Sequence, residues 1–261
     1  VEIISRTTKL KQDFELTRTL TISMLKSRYR KTFAGFLWVI LSPIITYFVQ
    51  AIIFKNILKV NIENYYLFLL SGIIPWIFIT STLNMTVTSF IAYRALIMAF
   101  KVEFWVFILT QTIDNLITLA ASFLILFFFV QDLSIFYYWK MPLFLLATFI
   151  LSIGCFILSF LLATIHVFFR DTQFVLQFLL NMLYFITPIF YPKELIPENY
   201  HWIINFNPLY YFVKPFQDIM WNYDVELFFI DISKAIGLII LLVFIFKRYW
   251  KKKSNEIYFR I

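Results

Sequence analysis

Ionisable side chains are scarce in the apolar parts of this sequence, so each one there asks for an explanation. The clearest is Asp114, within Gln111-Thr-Ile-Asp-Asn-Leu-Ile-Thr118. A carboxylate at membrane depth is costly and is a candidate for function by default. It either belongs to a proton relay or is a structural acid satisfied by Gln111, Asn115 and Thr118 along the same helix. Asp231 and Lys234 stand three residues apart and can pair locally, one helical turn from each other. His166 reads as a helix-end residue rather than a base. His201 is the other histidine and Cys155 the single cysteine, so neither a His/Cys metal cluster nor an intrachain disulfide can be assembled. The glycines are Gly35, Gly72, Gly154 and Gly237, and no GxxxxGK[ST] occurs. The chain therefore cannot cradle ATP in a phosphate loop, and any ATP-driven process needs a second protein. GxSxG and HExxH are missing as well. No cofactor is expected on the chain itself.

Aromatic residues make 21% of the chain. Trp38, Trp76, Tyr184, Tyr191, Trp202, Tyr210 and Tyr211 combine ring faces with polar tips. Such faces can stack on sugar rings, or they can simply meet lipid; the count alone does not choose.

The elements that hold these residues must be membrane helices. Of the 261 residues, 61% are hydrophobic and 15% charged, and mean hydropathy is +0.81. A soluble domain needs only about half its residues apolar. Six windows approach the about 20 apolar residues of a span. They are 33–58, 64–92, 104–130, 142–168, 174–191 and 227–247. The first begins near residue 33 and is too long for the apolar core of a signal peptide. An even number puts both termini on one side. Seventeen Lys/Arg fall in the tails and the loops on that side, against five in the opposite loops, which makes the termini cytoplasmic. The net charge of +8 lies mainly in residues 1–31 and 247–261, as expected of ends held by anionic lipid. No basic stretch forms a separate domain, so nucleic acid is not an expected partner.

Segment 9–31 mixes Leu10, Phe14, Leu16, Leu20, Met24 and Leu25 with Lys9, Lys11, Arg18, Lys26, Arg28 and Arg30. That suits an amphipathic helix in the interface, as a lipid anchor, a docking surface, or both. Five of the eight prolines fall between 188 and 215, and the apolar pieces between them are too short to span. A re-entrant helix pair is expected there. Thr80, Asn84 and Thr88 share a helical stripe and either bond across helices or line a polar path. The chain reads as one transmembrane domain over 1–261. Residues 1–31 form a cytoplasmic segment, 33–247 the membrane region and 248–261 a cytoplasmic tail.

Several pieces, in this order, resemble one family. They are Arg28-Tyr-Arg-Lys-Thr-Phe-Ala-Gly-Phe-Leu-Trp38 leading to Ser42-Pro43, Ser71-Gly-Ile-Ile-Pro-Trp-Ile-Phe78, Val167-Phe-Phe-Arg-Asp171, Thr187-Pro-Ile-Phe-Tyr-Pro192 and Asn207-Pro-Leu-Tyr210. The chain is similar to the membrane subunit of a type 2 ABC exporter for lipid-linked polysaccharide. The resemblance implies an all-α membrane fold with six spans, an N-terminal amphipathic interface helix and an outer re-entrant pair between helices 5 and 6. It implies a second copy of the chain, two copies of a cytoplasmic ATPase that carries ATP and Mg, and a substrate such as O-antigen, teichoic acid or capsular polymer. O-antigen fits the Phe-Phe-Arg-Asp form and short tails, and the Arg-Asp-Thr-Gln continuation is also similar to teichoic acid exporters. Location in the bacterial inner membrane follows. A canal between the two copies would be lined by Trp38, Trp76, Phe78, Tyr184, Phe185, Tyr191 and Tyr210. Coupling to the ATPase and gating would fall to Arg28, Arg30, Arg94, Lys101, Glu103, Arg170 and Asp171. Arg170 and Asp171 would brace the gate by ion pairing, or be a helix cap with a flanking Arg.

Three rival readings have their own signatures. An ABC exporter of a drug or small lipid shares fold and partner but needs no wide aromatic canal. An ion-coupled transporter predicts internal symmetry and several buried charges, with Asp114 as carrier. An intramembrane transferase handling a lipid-linked sugar needs a catalytic acid or His near one face. Glu194, Glu198, Asp218, Asp224 and Glu226 show no recognised catalytic arrangement.

Overall fold

The computed structural model describes residues 2–29, 45, 49–50, 52–53, 64–100, 102–129, 140–222 and 224–261. Ten α-helices occur among them. They are α1 (Glu2–Tyr29), α2 (Tyr65–Thr86), α3 (Ser89–Ala92), α4 (Arg94–Phe100), α5 (Phe104–Phe129), α6 (Lys140–Phe168), α7 (Thr172–Ile186), α8 (His201–Asn205), α9 (Tyr210–Gln217) and α10 (Val225–Arg260).

Four of these, α2, α5, α6 and α10, are long and apolar enough to cross a membrane, and the chain is a multi-pass membrane protein. This corrects the expected count of six. The window 174–191 yields only the 15 residues of α7. At 1.5 Å per residue that is roughly 22 Å, short of a hydrocarbon core of about 30 Å. Proline sets the stop. Thr187, which precedes Pro188, is extended (φ −72°, ψ 130°), as the ring of a following proline demands. The window 33–58 lies almost wholly outside the described residues.

The expected re-entrant pair is also corrected: none is present among the described residues. Segment 188–224 folds instead as two 3₁₀ turns (Lys193–Leu195 and Glu198–Tyr200), the five-residue α8, the eight-residue α9 and a π-turn over Asp218–Asn222. Pro188, Pro192, Pro197 and Pro208 keep the pieces before α9 short, whereas Pro215 lies inside α9. Side chains then tie the pieces down. Asn207 Nδ2 donates to Thr187 Oγ1 (2.7 Å), and its Oδ1 accepts from the Leu209 amide (3.0 Å). Tyr65 OH donates to the Phe190 carbonyl (3.1 Å) and Gln217 Nε2 to that of Pro188 (3.0 Å).

Glycine makes two of these contacts possible. A Cβ on Gly154 of α6 would stand 2.4 Å from Cζ of Phe212 on α9, and one on Gly72 of α2 would stand 2.8 Å from Gln217 Nε2. Only the bare backbone lets α9 seat between α2, α6 and α10.

The core is divided in two. One cluster occupies the end away from the termini and joins α2, α9 and the starts of α6 and α10, with Phe68, Trp76, Phe123, Phe216 and Phe228 inside it. The other lies at the end that bears both termini and gathers Phe90, Ile97, Phe104, Phe107, Phe160, Ile257 and Ile261. Residues 248–260, expected as a tail, continue α10 without a break into this second cluster.

The N-terminal helix also differs from expectation. It starts at Glu2, and its buried stripe is polar: Asp13, Thr17 and Thr21, four residues apart, are buried, while Phe14 and Ile22 are exposed. The threonine hydroxyls are satisfied within the helix, Thr17 at Asp13 O and Thr21 at Thr17 O (both 2.8 Å). Leu16 and Leu20, half-buried, pack on the core at this end while Phe14 and Ile22 are exposed, so the apolar residues of this helix are divided between the protein and its surroundings.

Candidate functional site: an aromatic face and a platform at the termini

Two groups of predicted residues separate in space. The first gathers around Tyr184, near the C-terminus of α7. Its ring lies 6.0 Å from Trp76, 5.2 Å from Phe185 and 4.9 Å from Phe190. Tyr191 joins through its hydroxyl, which donates to the Phe185 carbonyl (2.5 Å). Gln50 Nε2 donates to the Tyr184 hydroxyl, so a residue absent from the predicted set completes the group. Phe185 is exposed, Tyr184 and Tyr191 half-buried and Trp76 buried beneath them.

Two other predicted lining residues are elsewhere. Phe78 and Tyr210 are buried inside the chain's own core. Burial, with the nearby charges of Asp231 and Asp218, pushes the Tyr210 phenol far above its ordinary range. Trp38 lies outside the described residues.

Sequence reasoning missed the surface that continues from Phe185. On α7, Phe174, Val175, Phe178, Leu179, Met182 and Phe185 are all exposed, while Leu176 and Leu180 alone are buried. The exposed set recurs at helical spacing and forms one apolar ridge along the helix. The sequence did carry a signal, in the 15 residues between Asp171 and Thr187, but a uniformly apolar helix does not show which side is covered.

The second group is a platform at the end that bears the termini. Lys9 of α1 pairs with Glu103 at the start of α5, which raises the lysine pKa above its ordinary value. Phe14 meets Trp105 with ring centroids 5.5 Å apart. Burial raises the pKa of Asp13 beneath them. Arg94 is exposed at the first position of α4. Lys101 and Arg30 lie outside the described residues; Arg28 is in the last turn of α1, with its backbone alone described.

Arg170 and Asp171 are exposed in the turn between α6 and α7. Asp171 takes the N-cap position of α7 but makes no side-chain cap bond. Nearby, the end of α10 grips α6: Lys253 Nζ lies 4.9 Å and the Arg260 guanidinium 5.1 Å from the Phe168 ring. Lys253 also pairs with Glu256 at 2.8 Å.

The buried polar residues of the spans have found specific places. Ser89 Oγ donates to Gln111 Oε1 (2.7 Å), a bond between α3 and α5. Thr80 bonds the carbonyls of its own helix. Asp114 is fully buried, and the residues beside it make bonds of their own. Gln111 takes Ser89, Asn115 Nδ2 donates to the Gln111 carbonyl (3.1 Å), and Thr118 donates to the backbone oxygen of Asp114 (3.4 Å). No group of three or more His, Cys, Asp or Glu could hold a metal ion among the described residues.

The geometry is that of a scaffold with a platform at its termini and an uncovered apolar flank, and known proteins are similar to it in sequence. An O-antigen export system permease protein of Klebsiella pneumoniae is 28% identical over 88% of this chain and 89% of its own length. One from Myxococcus xanthus is 27% identical over 79% and 82%. The polysialic acid transport protein of Escherichia coli is 26% identical over 75% and 77%. Residues 15–221 match the family described as ABC-2 type transporter, and the chain belongs to that family.

Proposed function

We propose that the chain is the membrane subunit of an ATP-driven exporter that moves a lipid-linked polysaccharide of O-antigen type out of the cytoplasm. Hydrolysis belongs to a separate P-loop ATPase carrying ATP and Mg. Two copies of that ATPase pair with two copies of this chain. The whole of 1–261 acts as one transmembrane domain of the bacterial inner membrane, with the termini-bearing end in the cytoplasm.

The observation that carries the reading is the ridge of α7. A helix of 15 residues with six large apolar side chains uncovered is an unfinished surface. A second copy of the chain, brought up by a two-fold axis, covers such a ridge with itself. Phe185, Tyr184 and Tyr191 then flank the seam, with Trp76 beneath, and offer ring faces to a sugar chain. Stacking of this kind holds a polymer without gripping any one residue of it. The names of the relatives, which export O-antigen or transport polysialic acid, support the substrate class.

The platform serves the ATPase. Exposed Arg94, Met98 and Phe100 on α4 and the Lys9–Glu103 pair offer a mixed apolar and charged surface. Arg170 and Asp171 gate the cytoplasmic mouth from the turn between α6 and α7. By the resemblance, Trp38 is assigned to the canal lining and Arg28, Arg30 and Lys101 to coupling with the ATPase.

The test begins with purification in mild detergent from the native membrane. A P-loop ATPase should accompany the chain in equal copies, and a lipid-linked glycan should stimulate its turnover. Loss of the chain should abolish surface polymer and leave lipid-linked polymer on the cytoplasmic leaflet. Unchanged surface polymer would refute polysaccharide export; a chain that purifies alone, without hydrolysis, would refute the ATPase partnership.

A further inference from the structure

At the end away from the termini, two buried acids stand between two lysines, in a row of four charges that export does not require. The first is Lys214, on α9. Its Nζ lies 2.9 Å from Oδ1 of Asp218, which opens the π-turn and is wholly buried. Asn222 Nδ2 stands 3.5 Å from the same oxygen, and no donor reaches Oδ2 among the described residues. Across the turn, two helical turns into α10, Asp231 is buried as well. Lys234 Nζ pairs with it at 2.7 Å and also sits 5.6 Å from the centroid of the Tyr211 ring. Asp218 and Asp231 are near enough to hydrogen-bond when one of them carries a proton. The order is thus cation, acid, acid, cation, running from α9 through the turn to α10.

Among the described residues, the charged groups around this row are few. α2 contributes no charged side chain, and the charged residue that starts α6 is Lys140. In the preceding turn, Lys193 is bonded to Asn205 Oδ1 (3.2 Å), and Glu194 lines a small cavity with Lys214 and Tyr210. At the start of α10, Asp224 caps the Leu227 amide (2.9 Å) and Glu226 follows it. A proton placed between Asp218 and Asp231 therefore gives the unused Oδ2 a partner. It also removes the repulsion of two buried like charges.

We propose that Asp218 and Asp231 share a proton, and that this proton latches α9 and the π-turn onto α10. Burial and the Asp231 charge, opposed by Lys214, push Asp218 up to about 6 from its ordinary 3.8. A folded-state value above the free one means that the stabilisation is complete below the free value and fades as pH rises through about 6. Between pH 5 and pH 7.5 the docking equilibrium then changes about tenfold, tight in acid and looser at neutrality. The inference concerns the far end of the chain alone and stands whether or not the cargo is a polysaccharide.

The test uses the full chain in lipid nanodiscs. Spin labels are placed at Phe206→Cys and Phe229→Cys, both exposed, while the buried Cys155 stays unlabelled. Pulsed dipolar spectroscopy then reads the distance between α9's approach and α10. One narrow distance is expected at pH 5, and a second, longer population at pH 7.5. Asp218→Asn, which resembles the protonated acid, should keep the narrow distance at both pH values. Asp231→Asn should lose the pH response too, and it carries the test if Asp218→Asn does not fold. An identical distribution at pH 5 and 7.5 in the unaltered pair of labels overturns the latch. So does a pH response that survives Asp231→Asn.

Discussion

Alanine at position 154 should unseat α9, although alanine is the better helix former. Two effects oppose each other. Replacing a mid-helix glycine by alanine gains roughly 0.5–1 kcal/mol of helix stability. Against this, the new methyl would stand 2.4 and 2.5 Å from Cζ and Cε1 of Phe212, more than 1 Å inside ordinary contact. Phe212 is buried and cannot swing into solvent. Overpacking of this kind costs roughly 1–3 kcal/mol, and a rigid ring met edge-on belongs in the upper part of that range. The net expectation is a loss of about 1–2 kcal/mol. Phe212→Leu removes the clashing ring atoms and costs something by itself through the space it leaves. In the double variant the methyl fills part of that space. Gly154→Ala in the leucine background should therefore be neutral or stabilising, a coupling of about 1–3 kcal/mol between the sites. Thermal unfolding of the four proteins in one detergent measures it. A melting midpoint that rises with Gly154→Ala alone, or two losses that simply add, would refute the packing argument.

Other consequences are independent of that contact. Asp224→Ala removes the N-cap of α10 and should cost about 1 kcal/mol, seen as a lower melting midpoint. Asn207→Ala deletes the bonds to Thr187 and Leu209 and should cost roughly 1–3 kcal/mol, with faster proteolysis between 188 and 209 as a second sign. Lys9→Glu should leave stability almost unchanged, since an exposed pair is worth less than about 1 kcal/mol, yet lower glycan-stimulated ATP turnover. Combining it with Glu103→Lys should restore that turnover. Phe178→Asp on the α7 ridge should leave the monomer folded and shift light-scattering mass from two copies to one.

How far the sequence could be read follows from what each signal depends on. Apolar length alone located α2, α5, α6 and α10, with starts near the windows drawn from the sequence, but α2 stops at Thr86 rather than 92 and α10 runs to Arg260 rather than 247. It overestimated α7, because the window ran through Pro188, where the helix must end. Residues 248–260 looked like a solvated tail because of Lys251, Lys252 and Lys253, but Ile257 and Ile261 behind them carry the helix into a core. In a membrane protein apolar periodicity loses its meaning, since lipid and core ask for the same residues. That is why Phe78 and Tyr210 were placed on a lining while they are buried, and why the ridge from Phe174 to Met182 was not singled out. Polar residues fared no better. Thr17 and Thr21 are buried on α1 because their hydroxyls fold back onto the helix, a choice that sequence spacing leaves open.

The division of the core bears on how the two ends can affect each other. α2 and α9 belong to the far cluster, and α1, α3 and α4 to the cluster at the termini. Among the described residues, α5, α6 and α10 alone pass through both. α5 gives Phe123 to one and Phe104 to the other; α6 gives Leu151 and Ala163; α10 gives Phe228 and Ile257. α10 is an unbroken helix of 36 residues, roughly 54 Å long. It is fixed at one end by the Asp231 charge row and at the other by Lys253 and Arg260 over Phe168. A close-packed core moves between discrete arrangements rather than yielding smoothly. A displacement of the platform that α1 forms on α5 therefore either stops at the termini-bearing cluster or shifts these three helices as bodies. In the second case it reaches the seat of α9 directly, because Phe212 against Gly154 and Asp218 against Asp231 are contacts with two of those same helices.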